Sequence, residues 1–375
     1  MKWIKYLVLA LSVATVPAWA ETGVEASSVK FGSTMDISGP NGANVSELVS
    51  GIKLAFDEAN AQGGINGRSV SIMFMDDAFI KDRAVANTRE LNNDKKVFAL
   101  IGGTGSGIVP AVMPVLTELR IPMVGAYAGG MALRETANRY FFNTRASYDD
   151  EALAIVAHIT QSGLKEIAIV YGDDGFGKAV LASFRKAAKQ IGATIVTETT
   201  VGADFNGDVA NEALKNIKAN VSVVFGGSPK HALGFVPDFR KKHLNTLYSI
   251  STIGNIFNTL GNDAVGMVVS QAMPPVLNKE TRIVSDYQAA VDKTQNKKLK
   301  SSMPGLEGYV QGRIALEGLR AAGKNPTREA FVEAMEGFKA KNIGGFYLTY
   351  DKDKAHLGTS FVELIMIGTG GVMVY

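Results

Sequence analysis

The chain has 375 residues, with 39 Lys and Arg against 36 Asp and Glu, and no cysteine. The near balance of charge argues against nucleic acid or an anionic membrane as partner, since either favours a clustered basic excess. The lack of cysteine excludes disulfides, thiol catalysis, Cys-ligated metals and a lipid-modified N-terminal Cys, while the length suffices for two domains with proper cores.

Residues 1–20 read MKWIKYLVLALSVATVPAWA: a start with Lys2 and Lys5, an apolar run over 6–16 broken only by Ser12 and Thr15, then Pro17 and small residues around Trp19. This pattern predicts a secretory signal cleaved after Ala20, and the run is shorter than the ~20 apolar residues of a membrane-spanning helix. The expectation is an exported, periplasmic chain starting at Glu21. Without Lys2 and Lys5, 37 basic residues face 36 acidic ones. No later segment is a long unbroken apolar run, so no direct membrane insertion is expected.

From there short β-type runs alternate with amphipathic helical runs. The pattern predicts strands over 29–35, 70–75, 97–101 and 123–126, with helices over 45–61, 83–92 and 110–118 between them. Leu48, Ile52, Ala55, Phe56 and Ala59 fall on one helical face. A second series of similar rhythm follows: helices over 149–161, 178–191, 209–218 and 232–242, and strands over 166–171, 194–201, 221–225 and 248–251. Residues 305–322 and 326–338 read as helices, the latter with Pro326 at its start. Residues 345–350 and 360–367 read as strands. The Lys-, Asn- and Gln-rich stretch 278–302 reads as a surface excursion. The whole predicts an α/β protein of two similar doubly wound lobes with mostly parallel sheets and a ligand cleft between them. No low-complexity linker separates the lobes, so short crossings that permit hinge closure are expected.

Two glycine-rich turns follow strands and precede helices. Gly172-Asp-Asp-Gly-Phe-Gly177-Lys178-Ala179 nearly matches a phosphate-binding loop, but Ala179 lacks the hydroxyl that would hold Mg²⁺. It reads as a βα turn facing a cleft. Gly102-Gly-Thr-Gly-Ser-Gly107 does not fit GxGxxG. Its glycines let backbone N–H groups approach a ligand, and Thr104 and Ser106 add hydroxyls, which suits a carboxylate. The pairs Asp76-Asp77 and Asp173-Asp174 read as loop caps, because adjacent residues on an extended chain point to opposite sides. The four histidines are scattered, no serine sits in GxSxG, and neither metal nor cofactor is expected. Tyr127, Tyr148, Phe176 and Tyr309 read as candidate cleft walls, where ligands of open α/β sheets bind.

Several segments in order then resemble the leucine/isoleucine/valine-binding family of periplasmic substrate-binding proteins of ABC transporters. They are Met35-Asp-Ile-Ser-Gly-Pro40, Gly51-Ile-Lys-Leu-Ala-Phe-Asp-Glu-Ala-Asn60, Gly63-Gly-Ile-Asn-Gly-Arg68, Phe98-Ala-Leu-Ile-Gly102, Asn143-Thr-Arg-Ala-Ser-Tyr-Asp-Asp-Glu151, Asp174-Gly-Phe-Gly177 and Leu306-Glu-Gly-Tyr309. The resemblance covers nearly the whole chain after residue 20. It implies the type I periplasmic binding fold: lobe 1 from 28–145 with 275–340, lobe 2 from 146–274 with 341–375, and three crossovers. It places the ligand carboxylate against Gly105, Ser106, Tyr127, Ala128 and Gly129, with Phe176 closing from lobe 2. With Thr104, Tyr148, Asp174, Ser228 and Thr252, these complete the candidate ligand-binding set.

Two departures bear on the ligand. The family's amino-acid binders place threonine where this chain has Gly129, and hold the α-ammonium with a lobe 2 glutamate that falls near Thr252-Ile253. A buried ammonium without a carboxylate is strongly disfavoured. The expected ligand is therefore a small carboxylate- or amide-bearing molecule, amino-acid-like or aromatic, unless Asp174 or Asp149 replaces the missing charge. The resemblance implies a monomer that delivers its ligand to an inner-membrane ABC permease. A periplasmic sensory module presenting its solute to a receptor kinase or cyclase is the alternative, and an enzyme is not expected.

Overall fold

A computed structural model describes residues 21–254, 256–296, 298–371 and 373–374; the signal-peptide reading lies outside them. In chain order the first series is β1 (Ser28–Met35), α1 (Gly42–Ala61), β2 (Ser69–Asp76), α2 (Lys81–Asn93), β3 (Ala99–Ile101), α3 (Val109–Leu119), β4 (Met123–Val124) and β5 (Phe141–Phe142). These strands form a parallel sheet in the order β2-β1-β3-β4-β5.

The second series is α4 (Tyr148–Gln161), β6 (Glu166–Gly172), α5 (Gly175–Ile191), β7 (Thr194–Val201), α6 (Asp208–Leu214), β8 (Val221–Gly226), α7 (Pro229–Lys242), β9 (Leu247–Ser249), α8 (Phe257–Leu260) and β10 (Val268–Gln271). The chain ends with α9 (Arg282–Lys293), α10 (Met303–Ala321), α11 (Arg328–Glu336), the hairpin β11 (Lys341–Ile343) and β12 (Phe346–Leu348), then β13 (Glu363–Ile367) and β14 (Met373–Val374). The second sheet runs β14-β13-β10-β9-β8-β6-β7. It is parallel except where β13 and β14 add antiparallel at its edge.

The chain crosses between the two bodies after β5, after β10 and between β12 and β13. Helix α10 returns to the first body and lies along α1. Glycines make this approach close: a Cβ at Gly51 would stand 1.9 Å from the Gly305 carbonyl oxygen, and one at Gly308 would stand 2.0 Å from that of Leu48. The tail divides. Strand β13 joins the second sheet, whereas His356 stacks on Phe142 at the end of the first and Tyr350 meets that ring edge-on.

Local chemistry sets the helix ends. Ser147 and Asp150 form a reciprocal capping box at the start of α4. Asp174 caps α5 by accepting the Gly177 N–H at 2.8 Å, and Gly192 closes that helix at φ 84°.

Three sequence expectations are corrected. The stretch 278–302 contains α9, because Ile283, Val284, Tyr287 and Val291 form a buried stripe among the Lys, Asn and Gln residues. The helix expected from Pro326 starts at Arg328, because Thr327 accepts the Ala330 N–H at 3.0 Å and is the better cap. Tyr309 does not wall a cleft: it is buried on α10, 5.6 Å from the Tyr287 ring, with its hydroxyl on Glu58 and Arg313.

Candidate ligand-binding site

The carboxyl ends of both sheets face each other across a cleft. From the first body come the loop after β1, the turn after β2 and the glycine-rich loop after β3, whose Gly102, Gly103 and Gly105 have φ of +87°, +103° and +90°. The strand-like pairing of Thr104 with Tyr127 fixes that loop against the one after β4. From the second body come the starts of α4 and α5 and the turn after β9.

Thr104, Gly105, Tyr127, Tyr148, Phe176 and Thr252, six of the eleven residues expected from sequence, line one cavity together with Asn41 and Phe79. The centre of a water molecule has only about 10 Å³ to move in it. The lobes meet around it: Asn44 Nδ2 donates across the cleft to the Thr252 carbonyl at 3.1 Å, and Gly107 abuts Gly175. Entry of a ligand therefore requires the lobes to separate.

The lining is aromatic with few polar groups. Tyr148 meets Phe176 edge-on, ring centroids 5.6 Å apart, and Ser106 Oγ donates to Tyr148 Oη at 3.2 Å. Burial raises both phenols, Tyr127 and Tyr148, above their ordinary range, so each stays protonated and able to donate. Among the described residues, Thr252 Oγ1 is buried without a partner. The backbone N–H groups of the buried residues Ser106, Ala128 and Gly129 also take no protein acceptor among the described residues. Buried donors of this kind call for an acceptor.

Ser106, Ala128 and Gly129 stand directly behind the lining. Gly129 accepts the Tyr148 N–H at 2.8 Å, and a Cβ on it would lie 2.3 Å from the Tyr148 ring, so a threonine there would displace that ring.

The other two expected residues are used elsewhere. Asp174 is the cap of α5, and Ser228 caps α7, with its Oγ 2.8 Å from His231 Nδ1. Asp149 accepts from Ser183 at 2.6 Å and pairs with Lys186 at 2.6 Å, lining a separate groove beside the hinge. In the Gly172–Lys178 turn, Lys178 points outward to Asp173 at 2.9 Å, with more than half of each side chain exposed. Replacing Asp174 with alanine is expected to cost about 1 kcal/mol of stability in denaturant unfolding. Ligand affinity should change little; a greater than tenfold loss of affinity with unchanged unfolding would return Asp174 to the site.

Behind Tyr127 lies a buried charge network. Arg145, in the first crossing, places its guanidinium 5.5 Å from the Tyr127 ring centre. Nη2 reaches Glu151 at 2.9 Å and also Ser251 Oγ; Nη1 reaches Glu307 at 3.2 Å. Glu151, on α4, also accepts from the Ser251 N–H at 2.8 Å and Ser270 Oγ at 2.6 Å. Among the described residues Glu307, on α10, has only Arg145 and a 3.5 Å contact from Gln311. Burial therefore pushes the Glu307 carboxyl up to about 7, against the pull of Arg145. Burial also opposes the Arg145 cation, but Glu307 and Glu151 outweigh it and hold its pKa above the ordinary value.

Asn41, Asn44, Phe79 and this network were not singled out from sequence. Lone Asn and Phe residues carry no periodic signal, and charged residues are exposed by default. The runs Asn143–Glu151 and Leu306–Tyr309 contain Arg145, Glu151 and Glu307, but nothing in their spacing shows that the three meet.

An aromatic cleft between two open α/β bodies, joined by three chain crossings, defines a two-lobed solute-binding protein. The chain belongs to the periplasmic binding protein family, whose model matches residues 28–362. It is 24% identical over 341 residues to the Leu/Ile/Val-binding protein BraC3 of Rhizobium johnstonii, covering 88% of this chain and 89% of that one. In fold it is similar to a branched chain amino acid ABC transporter protein from Thermus thermophilus with bound valine (TM-score 0.82, 20% identity, 92% of this chain and 94% of that one). It is similar also to a solute-binding protein of an ABC transporter from R. palustris in complex with benzoate (TM-score 0.78, 19% identity, 92% and 95%). Members of this family are periplasmic solute-binding proteins rather than enzymes.

Proposed function

We propose that this protein, exported with its signal removed after Ala20, captures a small ring-bearing carboxylate that lacks an amine, and delivers it to an inner-membrane ABC permease. The observation that carries this reading is the composition of the cavity wall. It offers aromatic faces and hydroxyls, with the backbone N–H groups of Ser106, Ala128 and Gly129 directly behind it, but no carboxylate among Asn41, Phe79, Thr104, Gly105, Tyr127, Tyr148, Phe176 and Thr252. An anion finds donors there, whereas an α-ammonium would be buried without a counter-charge. Asp174 and Asp149, which could have supplied one, are committed to the α5 cap and to Lys186. Asp36 stands behind the wall, holding Asn41 through Oδ2 at 2.8 and 2.9 Å. The structural relatives with valine and with benzoate show that this fold accommodates either kind of solute, so the choice rests on the residues of this cleft.

The test is a thermal-shift titration with benzoate, phenylacetate, benzamide and leucine. A ligand that binds only the folded state at 100 times its Kd adds about 2.7 kcal/mol by mass action. The two acids are expected to raise the melting temperature and leucine to leave it unchanged. A shift with leucine alone, lost in Asp36→Asn, would replace this reading with an amino-acid site that uses Asp36.

A further inference from the structure

We propose that Phe79 is the specificity-determining lip of the cleft, a ring held over the glycine-rich loop that sets the largest ligand the closed lobes admit. The inference rests on the ring-bearing carboxylate reading and deepens it. Phe79 is half-buried and lines the cavity from the first body, where Phe176 lines it from the second. Its backbone is held in a conformation that side-chain-bearing residues avoid. Ala78 and Phe79, adjacent and neither of them glycine, have φ of 49° and 62°. Such positions persist only where surrounding bonds over-determine them, and they cluster at ligand sites.

The bonds that do so here come from the two carboxylates before the turn. Asp76 Oδ1 accepts the N–H groups of Ile37, Ser38 and Ala78 at 3.0, 3.2 and 3.0 Å. Asp77 Oδ1 accepts the Phe79 N–H at 3.0 Å, and its Oδ2 accepts Thr34 Oγ1 at 3.1 Å. The turn is thereby tied to the ends of β1 and β2 and not free to swing out. The ring then rests where a side chain is missing: a Cβ at Gly105 would stand 2.4 Å from Phe79 Cε2. Gly105 is itself a cavity residue, so the ring occupies volume that would otherwise belong to the site.

Two features separate this role from simple packing. The ring packs on the core of the first body with one side only and lines the cavity with the other, and its contact over Gly105 is with the loop that presents the ligand donors. Removing it should enlarge the site without disturbing those donors.

The experiment compares wild type with Phe79→Gly and Phe79→Leu by calorimetry, using benzoate and 2-naphthoate as probes. Glycine suits the left-handed backbone at this position, so the turn keeps its conformation when the ring is lost. Wild type is expected to favour benzoate by about tenfold or more, the scale on which a pocket rejects added bulk. Phe79→Gly is expected to bring the two acids within about threefold, with Phe79→Leu between. An unchanged benzoate-to-naphthoate ratio in Phe79→Gly, even with both affinities lowered, overturns the inference, since a merely structural residue would weaken both alike. If wild type binds leucine and neither acid, the functional reading fails and this inference falls with it.

Discussion

Replacing Arg145 with methionine is expected to destabilise the protein by about 3–5 kcal/mol at pH 8, the cost of leaving buried carboxylates without their cation. Glu151 keeps the Ser251 N–H and the Ser270 hydroxyl, but Glu307 loses its only charged partner within ion-pair distance among the described residues. The pH dependence has a definite sign. Burial raises the folded-state value of Glu307 to about 7, so the fold favours its protonated form. The stabilising contribution of that proton is fully present below the ordinary carboxylate range and is lost as pH rises through 7. Without Arg145 the ionised form is less tolerable still, so the loss in Arg145→Met should be larger at pH 8 than at pH 5.5. Urea unfolding at both pH values checks this. A loss below about 1 kcal/mol, or a larger loss at the lower pH, would contradict the network described here. Adding Glu307→Gln to Arg145→Met should recover part of the loss at pH 8.

The second large effect concerns the helix pair that carries Glu307 to the hinge. Gly51→Val is expected to cost about 3 kcal/mol or more, at or beyond the usual range for overpacking. The obstacles are backbone: the first added carbon would meet the Gly305 carbonyl oxygen at 1.9 Å and the Tyr309 nitrogen at 2.8 Å, and neither can rotate away. Helices α1 and α10 would have to part, moving Glu307 relative to Arg145. Denaturant unfolding measures the loss, and a cost below about 1 kcal/mol would show that the helices are free to slide apart.

The alternation of strands and amphipathic helices was legible because each element has its own hydrophobic period, and two series of that rhythm imply two sheets. Boundaries moved where caps decide them: Asp174 starts α5 at Gly175, three residues before the periodicity does, and Thr327 rather than Pro326 opens α11. Helix α9 was hidden because its four buried residues are outnumbered by polar ones.

The glycine-rich loop and its hydroxyls marked one side of the candidate site in the sequence, because glycines between a strand and a helix have a mechanism. Asp174 and Ser228 were readable only as groups near strand ends; whether such a side chain faces a ligand or caps its own helix depends on one torsion angle. Phe79 was invisible for a related reason. A phenylalanine after two aspartates reads as ordinary loop, and its place over Gly105 follows from a left-handed turn that its residue type does not favour.

The central claim, a cleft built for a ring-bearing anion without an amine, is tested most directly by a matched pair of ligands differing in that amine. Isothermal titration of the wild-type protein with phenylacetate and with phenylalanine should show binding of the first, and affinity at least about a hundredfold weaker for the second, as expected for an ammonium buried without its counter-charge. Phenylalanine binding as tightly as phenylacetate, or more tightly, would mean that the cleft holds an amine after all and would contradict the account.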